Sequence, residues 1–286
     1  MKKTISNLPL LAIILVLLTT AGCSKKLLSS TEKGSILEYK FTGDDSYKYK
    51  QSSELVQTID FNGQDISTYI DSDLGFTASA KGIAKGSLIL DITLDTLGVN
   101  IRSMQGNMKE DISDLRGKTF MMTMDPNGAN MDLDEAAKLK YTVAGMQNSN
   151  LKASFMEIFP ELPVSSIEVG YTWQDTDTVN INTETDNVEL VLTSDSRIEA
   201  KEKKSGYDCY KISYTISGTR DGSSQTPQGM VLTSLDVEGT GYYYFAFKEG
   251  IVVSSHLEST SDGNVTIPTG QNIPMYMTTK SDLLLK

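Results

Sequence analysis

Two cysteines, one histidine and one tryptophan stand in 286 residues, and each scarcity removes a class of chemistry. With only Cys23 and Cys209 available, no disulfide framework can staple the fold, which must rest on its core. A zinc site of His and Cys ligands cannot be assembled from His256 and Cys209 alone. A Ser-His-Asp or Cys-His mechanism would have to use His256, yet "VVSSHLEST" reads as strand and no nucleophile elbow occurs. There is no phosphate-cradling glycine loop with a lysine and no dinucleotide fingerprint, so no cofactor is expected. Basic residues are also few: 26 Lys and Arg face 37 Asp and Glu, a net charge of −11. Phosphate backbones are bound by clustered cations that release counterions, so this balance argues against nucleic acid as a partner. The one basic run, "KEKKSG" at 201–206, reads as a hairpin tip with solvated charges.

The chain opens with Lys2 and Lys3, an apolar run from Leu8 to Leu18 and a small-residue approach to Cys23, the three parts of a secretory signal. Thr19 and Thr20 interrupt the run before it reaches the roughly 20 apolar residues that span a bilayer. Thr20-Ala21-Gly22-Cys23 resembles the lipobox of bacterial lipoproteins, with Thr20 where the pattern usually has Leu. The resemblance implies that residues 1–22 are a lipoprotein signal peptide. Cys23 would then be diacylglycerol-modified and become the N-terminus, with residues 23–35 as an acylated cysteine and flexible tether. Each buried methylene contributes about 0.8 kcal/mol, so two or three acyl chains anchor a protein stably where one does not. Ser24, with no acidic run behind it, resembles the sorting pattern for the periplasmic face of an outer membrane in a Gram-negative host. The acidic body is expected to be held to that membrane by acyl chains rather than by a basic face.

Beyond the tether the dominant signal has period two. "SLILDITLD" puts Leu88, Leu90, Ile92 and Leu94 on one face. Similar runs cover 47–61, 118–124, 173–181, 188–192, 207–216, 234–247 and 251–259. Asn62-Gly63, Asp125-Pro126-Asn127-Gly128, Ser205-Gly206 and Lys248-Glu249-Gly250 suit tight reversals between them. Helical spacing predicts three short helices: one at Met108, Ile112 and Leu115, one within 133–146, and one at Leu151, Phe155, Ile158 and Phe159, stopped by Pro160. The expected fold class is therefore mainly β (α+β). It would be a strongly curved antiparallel sheet, or two β-meander repeats, with a few short helices between and over them. The candidate repeat pairs 47–133 with 171–261, since "GKTFMMTMDPNG" and "GYYYFAFKEG" share a leading glycine, an alternating strand and a glycine-closed turn. Residues 36–150 and 151–286 would be two β-rich halves, or one continuous domain.

"FPELPVSSIEVGYTW" at 159–173, "LRGKTFMMTMDPNG" at 115–128 and the lipobox together resemble a Bacteroidetes-type lipoprotein family known only as a domain of unknown function. That resemblance implies the anchor and a β-rich body, and supplies no catalytic residues. A looser likeness, at the level of fold, is to periplasmic lipid-carrier half-barrels.

Candidate sites follow from the apolar inventory. Phe120, Met122 and Met124, with Tyr243, Phe245 and Phe247, combine flexible thioethers and broad rings, which suit either an adaptable apolar cavity or a plain core. They are the expected contacts of a lipid or other apolar ligand. The alternative partner is an envelope protein pairing with exposed strand edges. A carboxylate-based hydrolase, using Asp71/Asp73, Asp91/Asp95 or Asp175/Asp177, is the third reading. "DPNGANMDLDE" at 125–135 is rich in oxygen ligands, but Asn130 occupies the position where a calcium loop needs glycine, and a turn leading to a helix start explains the same residues.

Overall fold

The computed structural model describes residues 34–41, 46–104, 106–143, 146–156, 158–182 and 186–286. Cys23 and the leader lie outside them. Thirteen strands follow one another with little helix between: β1 (Ser46–Phe61), β2 (Gln64–Ala84), β3 (Ser87–Ser103), β4 (Gly106–Asp111), β5 (Thr119–Met124), β6 (Lys140–Val143) and β7 (Met146–Asn150) precede β8 (Thr172–Asn182), β9 (Asp186–Lys204), β10 (Tyr207–Thr226), β11 (Gly229–Ala246), β12 (Ile251–Thr266) and β13 (Asn272–Leu285). Eleven of them form one antiparallel sheet in the order β4-β3-β2-β1-β13-β12-β11-β10-β9-β8, with β5 paired to β3; β6 and β7 form a separate hairpin.

The alternation read from the sequence sets which face of each strand is buried. Leu88, Leu90, Ile92 and Leu94 all lie inward at 4% exposure or less. Two-residue tips at Asn62-Gly63, Lys85-Gly86 and Ser205-Gly206 take positive φ at both positions, the geometry that matches strand twist. The structure departs from the sequence reading where spacing was counted over few residues. Met108 belongs to β4, opposite Ile101, and only Ser113–Leu115 coil, as a 3-10 turn. Helices are confined among the described residues to α1 (Asp134–Lys138) and α2 (Lys152–Phe155). Their apolar residues are buried as spaced, but one turn suffices to do it. β2 and β13 were not anticipated, because both carry Ser, Thr and Asp on the outward face and so dilute the apolar signal. β13 pairs with β1, so both halves of the chain contribute to one sheet.

The sheet is open, and it wraps around its contents: Leu90 of β3 and Ile198 of β9, near opposite margins, belong to the same buried cluster. At one rim β1 begins, β13 ends, and the tips 85–86, 205–206 and 247–250 turn. This proximal rim is crossed by the segment 34–41, where Lys40 N donates to Gly250 O at 3.0 Å. Only glycine fits at 250, since its φ is +69° and an added Cβ would lie 2.4 Å from Lys40 N. Ser35 is bridged to Ile167, so the tether expected to run through residue 35 is docked at its end. The distal rim carries the tips 62–63, 227–228 and 267–271.

Candidate functional site

Strand β5 presents Phe120, Met122 and Met124 inward opposite Ile92, Leu90 and Leu88, and β11 presents Tyr243 and Phe245 inward. Phe120, Met122, Met124, Tyr243 and Phe245 are buried in one core cluster, and Phe247 packs against it half-buried. The space between the two groups is filled by rings. Phe120 meets Phe155 at 4.9 Å between centroids, Phe155 meets Phe76 at 5.0 Å, and Phe76 stacks on Tyr49 at 5.1 Å. Tyr49 then reaches Phe159 at 6.1 Å, Phe159 reaches Tyr39 at 5.8 Å, and Tyr39 reaches Phe245 at 5.4 Å. Such edge and offset contacts add about 0.5–1.5 kcal/mol each beyond area burial. Tyr39 and Phe41 were missed in the sequence, although Leu37, Tyr39 and Phe41 alternate and all are buried.

Most of the residues weighed for catalysis in the sequence lie in the core or are engaged by neighbouring side chains. Cys209 is fully buried, and burial pushes its thiol up to about 11. His256 faces outward, with Nδ1 at 2.7 Å from Asp282 Oδ1 and Nε2 at 3.4 Å from Glu258 Oε1. Asp71 meets Arg102, Asp73 meets Lys50 at 2.8 Å and Asp91 meets Lys81, while Asp95 accepts from Thr77. The 125–135 segment is a turn and a helix start. Gly128 N donates to Asp125 O, and Asp132 Oδ1 accepts from Asp134 N at the head of α1. Among the described residues no group of three or more His, Cys, Asp and Glu is placed to hold a metal ion.

Two charged groups on the inward face are less comfortable. Asp177 of β8 has a buried Oδ2 without a hydrogen-bond partner. Burial first, then Asp175 and Glu161, push its carboxyl up to about 7. Arg220 of β10 is 3% exposed, and its Nε and Nη1 find no acceptor. Its register neighbours are Leu190 on β9 and Leu235 on β11. Burial lowers its pKa to about 10, so it keeps its charge at neutral pH. Its parity with Ile212 and Ile216 would have placed it inward from the sequence alone.

Open concavity lies on the outward face. A trough of about 730 Å³ crosses β1, β13, β12, β11 and β10, lined by Glu54, Lys280, Glu258, Thr240 and Thr215 among others. A second, of about 620 Å³, continues from Thr215 and Thr240 to Asp195 and Gln174 on β9 and β8. These seven residues are direct register partners from strand to strand. The lining is mostly hydroxyls and carboxylates, and its two cations are each beside a carboxylate, Lys280 at 3.0 Å from Glu258 and Arg197 at 3.9 Å from Glu199.

No family model and no curated protein matches the chain. Solved structures similar to it include an outer membrane channel from Pseudomonas putida, 7% identical with a TM-score of 0.25 over 90% of this chain and all of that one. Others are Pseudomonas aeruginosa OccK2 (OpdF), solved in complex with glucuronate, 9% identical with a TM-score of 0.23 over 84% of this chain and 98% of that one, and a Rhodopseudomonas blastica porin variant, 6% identical with a TM-score of 0.19 over 83% and 98%. Likeness at this level carries no argument about fold or role.

Proposed function

We propose that the chain is an envelope lipoprotein of the Bacteroidetes type, tethered to the periplasmic face of the outer membrane through acyl chains on Cys23, and that its body is a non-catalytic docking module. Support for the anchor comes from Lys2 to Cys23. The observation that favours docking over carriage is the ring-filled interior beside an open outward trough: Phe155, Phe76, Tyr49, Phe159 and Tyr39 occupy the space between Phe120 and Phe245. A hydroxyl-lined trough across seven strands suits an extended, polar segment of an envelope partner, which side-chain hydroxyls and carboxylates can hydrogen-bond along its length. A photo-crosslinker at Thr240, mid-trough, is expected to give a discrete protein adduct in cells that a crosslinker at outward-facing Thr77 does not. No adduct from Thr240 contradicts the docking reading.

Arg220 favours a second reading, binding of an anionic amphiphile inside the sheet. A guanidinium among leucines is costly without a counter-charge, and a carboxylate or phosphate head would supply one. Native mass spectrometry of the delipidated protein separates the readings: an unliganded mass supports docking, and a co-purifying lipid supports carriage.

A further inference from the structure

The net charge conceals a polarity along the sheet. The register row Lys109–Asn100–Asp71–Glu54–Lys280–Glu258–Thr240–Thr215–Asp195–Gln174 crosses the sheet from β4 to β8. Every lysine in the strands of the main sheet lies on that row or between it and the proximal rim. The carboxylates are nearly evenly split, nine on the proximal side of the row and ten on the distal side, but the proximal strands also carry seven lysines and Arg197 whereas the only distal cations are Arg102 and the buried Arg220. An acidic chain has thus gathered its lysines at one end.

Three of these lysines sit over aromatic rings. Lys201 Nζ is 4.8 Å from the Tyr210 ring centroid and 4.9 Å from that of Phe247; Lys204 is 4.9 Å from Tyr244 and Lys211 is 5.3 Å from Tyr242. The acids among them are partly spent: Asp208 pairs with Lys248 and Lys203, and Glu202 lies against Tyr244. On the same rim, at the tip between β2 and β3, Lys81 and Lys85 flank Ile83, which is 71% exposed. Lysines beside tyrosines and an exposed aliphatic tip suit the headgroup layer of a bilayer. Gly34 and Ser35 also lead into the segment that crosses this rim. Ten residues separate Cys23 from Gly34, and the eleven chain steps between them span at most roughly 40 Å.

We propose that the proximal rim is a docking surface for an anionic lipid bilayer, and that it holds the body with its lysine-free distal rim pointing away from the membrane. The acyl anchor proposed above brings the rim close; the rim sets the orientation. A protein partner of acidic character would meet the same lysines, but the short covalent span from Cys23 to Gly34 favours the lipid surface.

The full anchored chain is reconstituted into vesicles, with a fluorophore on Ala84→Cys at the proximal rim or on Gln228→Cys at the distal rim, and quenched by nitroxide-bearing lipid. In phosphatidylglycerol-containing vesicles the Ala84 site is expected to be quenched several-fold more than the Gln228 site. That asymmetry should vanish in phosphatidylcholine alone, in high salt, and in a Lys201→Glu/Lys203→Glu/Lys204→Glu variant. Equal quenching at both sites, or asymmetry indifferent to lipid charge and to the triple change, overturns the proposal. So does asymmetry that appears only when an acidic envelope protein is added. Retention on vesicles after a high-pH carbonate wash reports the anchor separately, so its failure is not confused with failure of the orientation.

Discussion

Tyr39 Oη donates a hydrogen bond of 2.7 Å to the carbonyl oxygen of Pro160, joining residues 121 positions apart. Through it the segment that crosses the proximal rim is fastened to the stretch that follows α2, and both close over Gly128, whose added Cβ would lie 2.9 Å from Tyr39 Cε2 and 3.0 Å from Pro160 O. The ring-filled interior depends on this junction.

Removing the hydroxyl alone leaves a half-buried carbonyl without its donor. Tyr39→Phe is expected to lower stability by about 1–3 kcal/mol, and Tyr39→Ala by about 3–5 kcal/mol or more, since it also opens a cavity against Phe41, Phe159 and Phe245. Urea denaturation followed by near-ultraviolet circular dichroism checks both. An unchanged midpoint for Tyr39→Ala would mean that the rings do not form one packed unit.

Arg220 carries the opposite expectation. Replacing a buried, unpaired guanidinium by Met keeps most of the volume and removes the desolvation cost, so Arg220→Met should stabilise the ligand-free protein by about 1–4 kcal/mol. A loss of stability in thermal unfolding would show that the guanidinium has a counter-charge in solution.

Asp177 gives a pH dependence with a definite sign. Its carboxyl titrates near 7 in the folded chain against an ordinary value of 3.8. The folded state therefore keeps the proton that the unfolded state releases, and stability from this group is present below about pH 4 and lost as pH rises towards 7. Asp177→Asn should flatten that slope and raise stability at pH 8 relative to the parent. A parent whose stability rises steadily over that window, with no difference from Asp177→Asn, contradicts the burial argument.

Much of the sheet was legible because burial selects on period two: the runs around 88–94, 207–216 and 251–259 are strands, and the Asn62-Gly63 and Ser205-Gly206 tips turn as their φ values require. Strand length was not legible. Outward positions such as Asp73, Thr215 and Asp236 are solvated whether the chain is strand or loop, so polar extensions carry no periodic signal. Nor was the pairing of β13 with β1, since contacts between chain ends leave no local trace. The six proposed ligand contacts were found as apolar residues, but their separation by rings from 39, 49, 76, 155 and 159 is a property of three-dimensional packing. The charge polarity of the sheet was invisible for the same reason: it exists in the register, and along the chain the acids and lysines interleave.

Cys209 should behave as core rather than as a reactive thiol. With its pKa pushed to about 11 by burial, the native protein is expected to resist iodoacetamide at neutral pH, with the Cys209 peptide alkylated only after denaturation. Rapid native alkylation would contradict its placement.

The account rests on the covalent state of Cys23, and mass spectrometry of the N-terminal peptide from membrane-extracted protein tests it most directly. The expected peptide begins at Cys23 and carries the added mass of a diacylglycerol group, with or without a third acyl chain. A peptide that begins elsewhere, or an unmodified Cys23, would contradict it.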